Sequence, residues 1–445
     1  MADFNFKKWN LILGWFAFLI AFITYSLTVE PTVSFWDAGE YILTSSKLQV
    51  GHPPGAPFFQ MMGAFFSIFA TDPTQIGLMI NMMSATASAF TILFMFWSIV
   101  LLIKQVVKNN NESSKGQNAA ILGAAFVGSL SFAFTDSFWF NAVETEVYAM
   151  ATLIMAVLFY LGLRWGNDMF TPRGNKWLIL ISFVVGLSFG VHFMGLLTIP
   201  AIGLIYYFKN YKTITVKNFV LANLAGIAVL LFVFKLLAPN ILRYFSALEI
   251  FFVNSVGLPF NSGSIIAFVL LVGFIIFGIR YTRKKNYVNL NTALLCITFV
   301  VVGFSSWLML PIRANANVTV NENNPSSARE LLAYYNLEQY PKTHLFYGPQ
   351  FTDQYAGLDE NQPYVDDKPK YEKDKTIGKY VVVNDFKNGS QNYNSKHASL
   401  LPRMWSSEHA ENYMMYSGFL DFSIKTDYQM QNDLRSVIND FKNSV

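Results

Sequence analysis

The sequence predicts an all-α polytopic membrane protein, followed by a small mixed α/β domain outside the membrane. Hydrophobic residues make up 53% of the 445 residues and charged residues only 13%, whereas soluble domains carry about 25% charged residues. Long apolar runs recur throughout residues 1–310. Residues 311–445 instead hold 14 of the 32 Lys and Arg and 17 of the 28 Asp and Glu, which is the composition of a soluble domain.

The apolar runs are long enough to cross a bilayer. A hydrocarbon core of about 30 Å needs roughly 20 apolar residues in a helix. The first run follows Lys7 and Lys8 and is longer than the apolar core of a signal peptide, so we expect it to be retained. The runs predict about nine transmembrane helices, at residues 11–28, 77–103, 118–135, 147–163, 177–192, 195–208, 218–238, 264–280 and 290–310.

Basic residues between the runs predict the orientation. With nine spans and a cytoplasmic N-terminus, the cytoplasmic segments hold 15 Lys and Arg. The opposite segments before Pro311 hold three, namely Lys47, Lys235 and Arg243. Because Lys and Arg stay on the cytoplasmic side, the predicted domains are a transmembrane domain over residues 1–310 and an extracytoplasmic domain over residues 311–445.

Residues 29–76, named here the first loop, contain two acidic residues beside aromatic ones. Asp37 and Glu40 stand at the start of a predicted helix over residues 38–50, and their spacing puts them on one helix face. Asp37 has two interpretations. It is a cap that the helix dipole stabilises, or it is an ionisable group kept at membrane level for function.

The rest of the first loop favours function. His52-Pro53-Pro54-Gly55 ends the first predicted helix, and residues 58–70 predict a second short helix that lies in the membrane interface. Trp36 and Lys47 lie close to the acids in the sequence. The predicted functional group on this loop is therefore Trp36, Asp37, Glu40, Lys47 and His52.

Residues 136–146, named here the second loop, carry a further acidic cluster. Glu144 and Glu146 precede a predicted span, with Asp136 and Tyr148 nearby. Compensation of the helix dipole is the structural interpretation, worth about 0.3–1 kcal/mol for each acid. Two acidic loops on one side of a bundle can also converge on a cation or on sugar hydroxyls, which is the functional interpretation.

Two isolated residues complete the candidates. His192 lies at a predicted span end, where a packed or interfacial residue and a functional one are both consistent with the pattern. Arg313 follows the last span and suits a lipid phosphate, because guanidinium binds phosphate bidentately; a plain interfacial anchor is the alternative. The polar segment Asn321–Pro325 is turn-prone.

The last third predicts mixed secondary structure. We expect helices over residues 326–336 and 427–445, strands at 344–347 and 380–383, an exposed loop at 353–375 and a docking element at 400–405. The single cysteine, Cys296, excludes an intrachain disulfide. The sequence shows no Gly-rich phosphate loop, no zinc-binding spacing and no basic face suited to nucleic acid.

Several motifs together resemble a known family. They are Phe35-Trp36-Asp37-Ala38-Gly39-Glu40-Tyr41, Gly51-His52-Pro53-Pro54-Gly55, Val143-Glu144-Thr145-Glu146-Val147-Tyr148, Asn321-Glu322-Asn323-Asn324-Pro325 and Leu401-Pro402-Arg403-Met404-Trp405-Ser406. This ordered set resembles a bacterial family, common in Bacteroidetes and formerly of unknown function, that is described as protein O-mannosyltransferase-like. A vertebrate transmembrane O-mannosyltransferase is related to it.

The resemblance implies the GT-C architecture of glycosyltransferases that use lipid-phosphate sugars. It implies that Asp37 is the general base with Glu40 beside it, and that Glu144 and Glu146 form the second acidic pair. No cofactor is certain. A divalent cation is possible, with Asp37, Glu144 and Glu146 as its expected ligands. The expected substrate-binding residues are Trp36, Lys47, His52, Tyr148, His192 and Arg313.

The resulting hypothesis is a glycosyltransferase of the bacterial inner membrane with a periplasmic active site. It transfers a hexose, mannose by resemblance, from a polyprenyl-phosphate donor to a hydroxyl of an acceptor protein or glycan. Its expected partners are that donor, the acceptor and the lipid bilayer, with no nucleic acid. Two alternatives are a transporter or flippase for lipid-linked saccharides and a non-catalytic membrane assembly protein. A transporter predicts ionisable residues at the membrane midplane and broken spans.

Overall fold

The computed structural model describes residues 5–107, 114–340, 344, 346–351, 353, 357–402, 409 and 412–413. The chain divides into two compact units. The first, named here the helical unit, consists of Met1–Phe252 and Asn261–Leu337. The second, named here the C-terminal unit, consists of Val253–Phe260 and Glu338–Val445. The composition of the sequence changes near residue 311, whereas the compact units divide at residue 337.

The helical unit contains fifteen α-helices in its described part. They are α1 (Phe6–Thr28), α2 (Ala38–Ser46), α3 (Pro57–Ser67), α4 (Ile76–Val106), α5 (Lys115–Ala133), α6 (Asp136–Ala142), α7 (Val147–Asp168), α8 (Gly174–Ser188), α9 (Thr198–Asn210), α10 (Val216–Leu231), α11 (Ala238–Ile250), α12 (Ser262–Lys284), α13 (Val288–Phe304), α14 (Met309–Asn315) and α15 (Ala328–Tyr335). The predicted short helices of the first loop correspond to α2 and α3.

The membrane-spanning character is confirmed, but the predicted number of nine spans is not. Six helices in the described residues are long and apolar enough to cross a bilayer, or seven if the bent pair α5 and α6 counts as one span. The two segments of that pair meet at 69°. The helices at the predicted runs 177–192 and 195–208 have only 15 and 13 residues, which is short for a span.

One continuous helix reaches well beyond a bilayer's thickness. α10 and α11 are joined through a π-helical segment, Phe232–Leu237, and with a second one, Phe251–Ser255, they form a helix of 40 residues. At 1.5 Å per residue such a helix is about 60 Å long, twice the apolar core of a membrane. The predicted run 218–238 therefore ends in mid-helix, and α11 continues from it to pack against α15.

The core of the helical unit lies where α8 and α13 pack closely along each other. Gly186 of α8 and Gly303 of α13 face each other with no room for side chains: a Cβ at Gly186 would lie 2.9 Å from the Cα of Gly303. Next to this contact, the fully buried Trp307 donates its indole N–H to the carbonyl oxygen of Phe189 at 2.9 Å. These contacts fix the chain segment that follows α8.

The C-terminal unit confirms the mixed character of the last third. Its strands are β1 (Tyr347–Pro349), β2 (Tyr364–Val365), β3 (Lys370–Asp374), β4 (Lys379–Asn384), β5 (Ser390–Gln391) and β6 (Ala398–Leu400), and they pair as three antiparallel ladders, β1 with β6, β2 with β5 and β3 with β4.

Of the individual predictions for the last third, some are confirmed, some are wrong in part and some lie outside the described residues. The predicted strand at 380–383 is confirmed in β4, and the predicted helix at 326–336 is α15, which packs in the helical unit. The predicted loop at 353–375 is wrong in part, because β2 and β3 lie within it and pair with partners later in the chain. The predicted strand at 344–347 overlaps β1 only at Tyr347. The predicted helix at 427–445 and residues 403–405 of the docking element lie outside the described residues.

The close contact between α8 and α13 makes a prediction about stability. We expect Gly186→Ala to destabilise the protein by about 1–3 kcal/mol, because the new Cβ would overlap the backbone carbonyl oxygen of Val300. Gly273→Ala in α12 is the matched control, since nothing lies within 4 Å of its added Cβ. Thermal unfolding of the purified protein in detergent measures both, and equal midpoints for the two variants would contradict this packing.

Candidate active site

Asp37 stands at the N-terminal end of α2. It occupies the N-cap position, but its side chain makes no capping hydrogen bond, and 58% of that side chain is exposed. The capping interpretation therefore does not account for its carboxylate. The preceding residue, Trp36, adopts a φ of 60° and is 86% exposed. A left-handed backbone is costly for a bulky residue, and such strain occurs often at functional sites.

Glu40 lies one turn further along α2 and holds His52. The backbone N–H of His52 donates to Glu40 Oε1 at 2.6 Å, and its ring Nδ1 lies 2.9 Å from Glu40 Oε2. The ring's other nitrogen, Nε2, is 3.9 Å from Asp37 Oδ2. Gly51 permits this arrangement, because a Cβ there would lie 2.6 Å from Glu40 Oε1. The imidazole of His52 thus lies between two carboxylates.

The segment after α2 is fixed by residues far along the chain. Arg313 donates from its guanidinium to the carbonyl oxygens of Leu48 at 2.5 Å and Lys47 at 3.0 Å. The hydroxyl of Tyr334 in α15 donates to the carbonyl oxygens of Gly51 at 2.6 Å and His52 at 3.1 Å. α14 and α15 therefore hold the His-Pro-Pro-Gly turn in place.

The second loop is joined to the first through a buried amide of α4. Asn81, which is 1% exposed, donates to the carbonyl oxygens of Glu30 at 2.7 Å and Thr32 at 3.0 Å. Its own side-chain oxygen accepts from the hydroxyl of Thr145. Thr145 separates Glu144 from Glu146, so this bond determines where both acids lie.

The two loops and the segment after α8 enclose a cavity of about 160 Å³. Its functional side chains come from three parts of the chain: Asp37, Tyr41, His52, Glu146, Tyr148 and His192. The rings of Tyr148 and His192 lie 5.4 Å apart, and those of Tyr41 and His52 lie 5.8 Å apart. Acids from the two predicted loops therefore face one small space.

The charges around the cavity are predominantly negative. Burial, together with the charges of Asp37 and Glu144, raises the pKa of Glu146 to about 7. The hydrogen bond from the His52 ring holds the pKa of Glu40 below its usual range, and the same bond raises the pKa of His52. Among the described residues that line the cavity, none is Lys or Arg.

The predicted site residues divide into two groups. The cavity is lined by Asp37, His52, Glu146, Tyr148 and His192. Glu40 does not line it but contacts the ring of His52, which does. The other four do not line it: Trp36 and Lys47 are exposed on the first loop, Arg313 binds backbone carbonyls, and Glu144 is buried within the second loop at 3% exposure. The assignment of all ten residues to catalysis or substrate binding stays a prediction.

The structure also brings in residues that the sequence did not identify individually. The backbone N–H of Glu322 donates to the carbonyl oxygen of Val50 at 3.1 Å, and its charge interacts with Glu40 and His52. The motif Asn321–Pro325 was the available signal for it. Tyr41 belonged to the motif Phe35–Tyr41, whereas Tyr334 had no such signal. The group of possible metal ligands also differs from the expected one: single ligand atoms of Asp37, Glu40 and His52 lie within 4.8 Å of one another, without Glu144 or Glu146.

The fold and the cavity define a multi-pass membrane protein with an acidic site at the ends of its helices. Residues 37–215 match the family model described as the N-terminal domain of the protein O-mannosyl-transferase TMEM260. The resemblance that the sequence motifs indicated is thereby confirmed. Residues 341–433 match a second family model, DUF8416, which is described as a family of unknown function.

Curated relatives also match part of the chain. The protein O-mannosyl-transferase tmem260 of Dictyostelium discoideum is 26% identical over 243 residues, which are 51% of this chain and 28% of the relative. The protein O-mannosyl-transferase TMEM260 of Mus musculus is 24% identical over 164 residues, which are 37% of this chain and 21% of the relative. The matched part is thus less than a third of either relative's length. No solved structure matches the chain.

The anchoring of the His-Pro-Pro-Gly turn can be tested at Tyr334. We expect Tyr334→Phe to speed amide exchange at Gly51 and His52 about fivefold, because the hydrogen bonds of one hydroxyl contribute about 1 kcal/mol. Hydrogen exchange followed by mass spectrometry measures this effect. Tyr281→Phe, at a 45% exposed tyrosine stacked on Phe277, is the matched control. Unchanged exchange in Tyr334→Phe would show that other contacts hold the turn.

Proposed function

We propose that this protein is a membrane glycosyltransferase that transfers mannose from a polyprenyl-phosphate donor to a hydroxyl of an acceptor protein or glycan. The observation that carries the proposal is the convergence of Asp37 and Glu146, from two separate loops, on one cavity. The family match over residues 37–215 and the names of the curated relatives support the same chemistry. The GT-C class is part of this proposal.

Asp37 has the properties of a general base. Its carboxylate is exposed to the cavity and makes no capping hydrogen bond. The acceptor hydroxyl gives its proton to Asp37 as its oxygen attacks the anomeric carbon. The bond from that carbon to the phosphate oxygen breaks, so the configuration inverts. A positioned base contributes about 10²–10⁴-fold to the rate.

Glu146 faces the same cavity from the N-terminus of α7. The residue is only 6% exposed, so a substrate group that meets its carboxyl group is shielded from water. Hydrogen bonds in such a place are stronger than in water and are suited to hold a sugar or acceptor hydroxyl. Asp37 and Glu146 therefore receive different roles: the first removes the proton, and the second positions the substrate.

We place this site at the periplasmic face of a bacterial inner membrane. Lys7 and Lys8 lie at the start of α1, which supports a cytoplasmic N-terminus and the opposite location for the first loop, which follows this span. Asn81 joins the second loop to the first, which supports the same side for both. The acids lie at the N-terminal ends of α2 and α7. A transporter would instead hold its ionisable groups near the midplane, so this placement supports the enzyme over the transporter.

The proposal is tested by transfer of mannose from a synthetic polyprenyl phosphomannose by the purified protein. We expect Asp37→Asn to lower the rate by about 10²–10⁴-fold, since the variant cannot accept the proton. Glu146→Gln should lower it more than Glu144→Gln does, because only Glu146 lines the cavity. Glu372→Gln, which removes an acid from an exposed ion pair with Lys370, is the control. Wild-type rates in both Asp37→Asn and Glu146→Gln would overturn the assignment.

A further inference from the structure

The proposed donor and the cavity carry charge of the same sign. A sugar phosphodiester brings a negative charge, and the cavity already presents Asp37 and Glu146, with Glu40 behind His52. No Lys or Arg is among its described lining residues. Arg313, a predicted phosphate ligand, uses its guanidinium to bind the carbonyl oxygens of Lys47 and Leu48. Among the described lining residues only the imidazoles of His52 and His192 can carry positive charge, so a bound cation would be a further source of positive charge for the donor.

The imidazole of His52 is held in the orientation that metal-binding histidines adopt. Its Nδ1 lies 2.9 Å from Glu40 Oε2, so the Nδ1–H donates to that carboxylate, and in the neutral ring Nε2 carries the lone pair. A carboxylate that accepts from one ring nitrogen fixes the tautomer and orients the other nitrogen toward a metal. Nε2 faces Asp37 Oδ2 at 3.9 Å.

The separation of these two atoms is close to that of two ligands of one cation. Metal–nitrogen and metal–oxygen bonds of about 2.0–2.2 Å put two ligands of a tetrahedral ion roughly 3.4 Å apart, so a side-chain rotation that brings the two atoms about 0.5 Å closer lets them share a cation. The backbone supports this geometry independently: the N–H of His52 also donates to Glu40, and Tyr334 holds the carbonyl oxygens on either side of that N–H. The position of His52 is therefore fixed by contacts other than the one with Asp37.

We propose that Asp37 Oδ2 and His52 Nε2 bind a divalent cation at the cavity, with Glu40 as the residue that positions His52. A ligand set of one imidazole and one carboxylate, completed by water or substrate oxygens, suits Mn²⁺ or Zn²⁺. The site differs from the sequence-based expectation, which joined Asp37 to Glu144 and Glu146. Its role in donor binding rests on the proposed function, whereas the site itself does not.

Such a cation supplies the positive charge opposite the donor's phosphate. Asp37 coordinates through one oxygen, and its other oxygen stays available for the acceptor hydroxyl. Glu146, at 6% exposure on the same cavity, adds negative charge that stabilises the cation without belonging to the ligand pair. Glu40 does not touch the substrate and acts only through His52.

Binding of Mn²⁺ alone tests the site. The full-length protein in detergent is stripped with EDTA and titrated with Mn²⁺, and free Mn²⁺ is measured by electron paramagnetic resonance. We expect about one bound ion per chain in the wild type. Asp37→Asn and His52→Gln should each weaken binding at least tenfold, and Glu40→Gln about 10–100-fold, as second ligand shells do. Glu372→Gln is the matched control, because it removes a carboxylate outside the cavity.

The outcomes separate this inference from the proposed function. Equal Mn²⁺ affinity in the wild type and in His52→Gln, or no binding of either Mn²⁺ or Zn²⁺ by the wild type, overturns the site. The hyperfine couplings of the bound ion to nitrogen provide a second readout in the wild type, even if a variant fails to fold. Full mannose transfer by stripped protein overturns the metal's role while the proposed function stands. If Mn²⁺ binds at His52 but the protein transfers no mannose, the metal site stands and the proposed function is overturned.

Discussion

One buried amide joins the two acidic loops on which the cavity depends. Asn81 lies in α4, a membrane-spanning helix, and bonds to Glu30 and Thr32 of the first loop and to Thr145 of the second. An amide in such a place must have all its hydrogen bonds satisfied, because an unsatisfied polar group costs several kcal/mol in an apolar environment. The loops therefore cannot separate without leaving Asn81 unpaired, and Asp37 and Glu146 are kept together.

The arrangement around Glu40 and His52 extends this constraint. Glu40 accepts both the backbone N–H and the ring of His52, so the direction of the imidazole follows from the position of α2. The turn that carries His52 is held from the other side by α14 and α15 through Arg313 and Tyr334. The groups that line the cavity are thus placed by a second layer of residues, most of which lie far away in the sequence.

Helix ends explain why acids gather here. Asp37 and Glu146 precede α2 and α7, whose N-termini carry partial positive charge that stabilises carboxylates. The cost of burying Glu146 is offset in part by this field and by the backbone N–H groups of Asp37 and Val147. These two helix ends face one cavity, because the loops that precede them both form hydrogen bonds with the side-chain amide of Asn81.

The sequence by itself determined the membrane-spanning character, the separate composition of the last third and the motifs around Asp37, His52 and Glu146. These features depend on composition and on neighbouring residues, which a single sequence displays directly. The number of spans was not determined, because α8 and α9 are shorter than their apolar runs and α10 continues as one helix through α11.

Only the tertiary structure decided that Glu146 lines the cavity while Glu144 is buried and does not line it, and that Arg313 binds the first loop. It also paired Glu40 with His52 and brought Tyr334 and Glu322 to the same turn. These outcomes depend on contacts between segments up to 283 residues apart. Neither the spacing of residues nor their local propensities encodes such contacts, because they follow from how the helices pack.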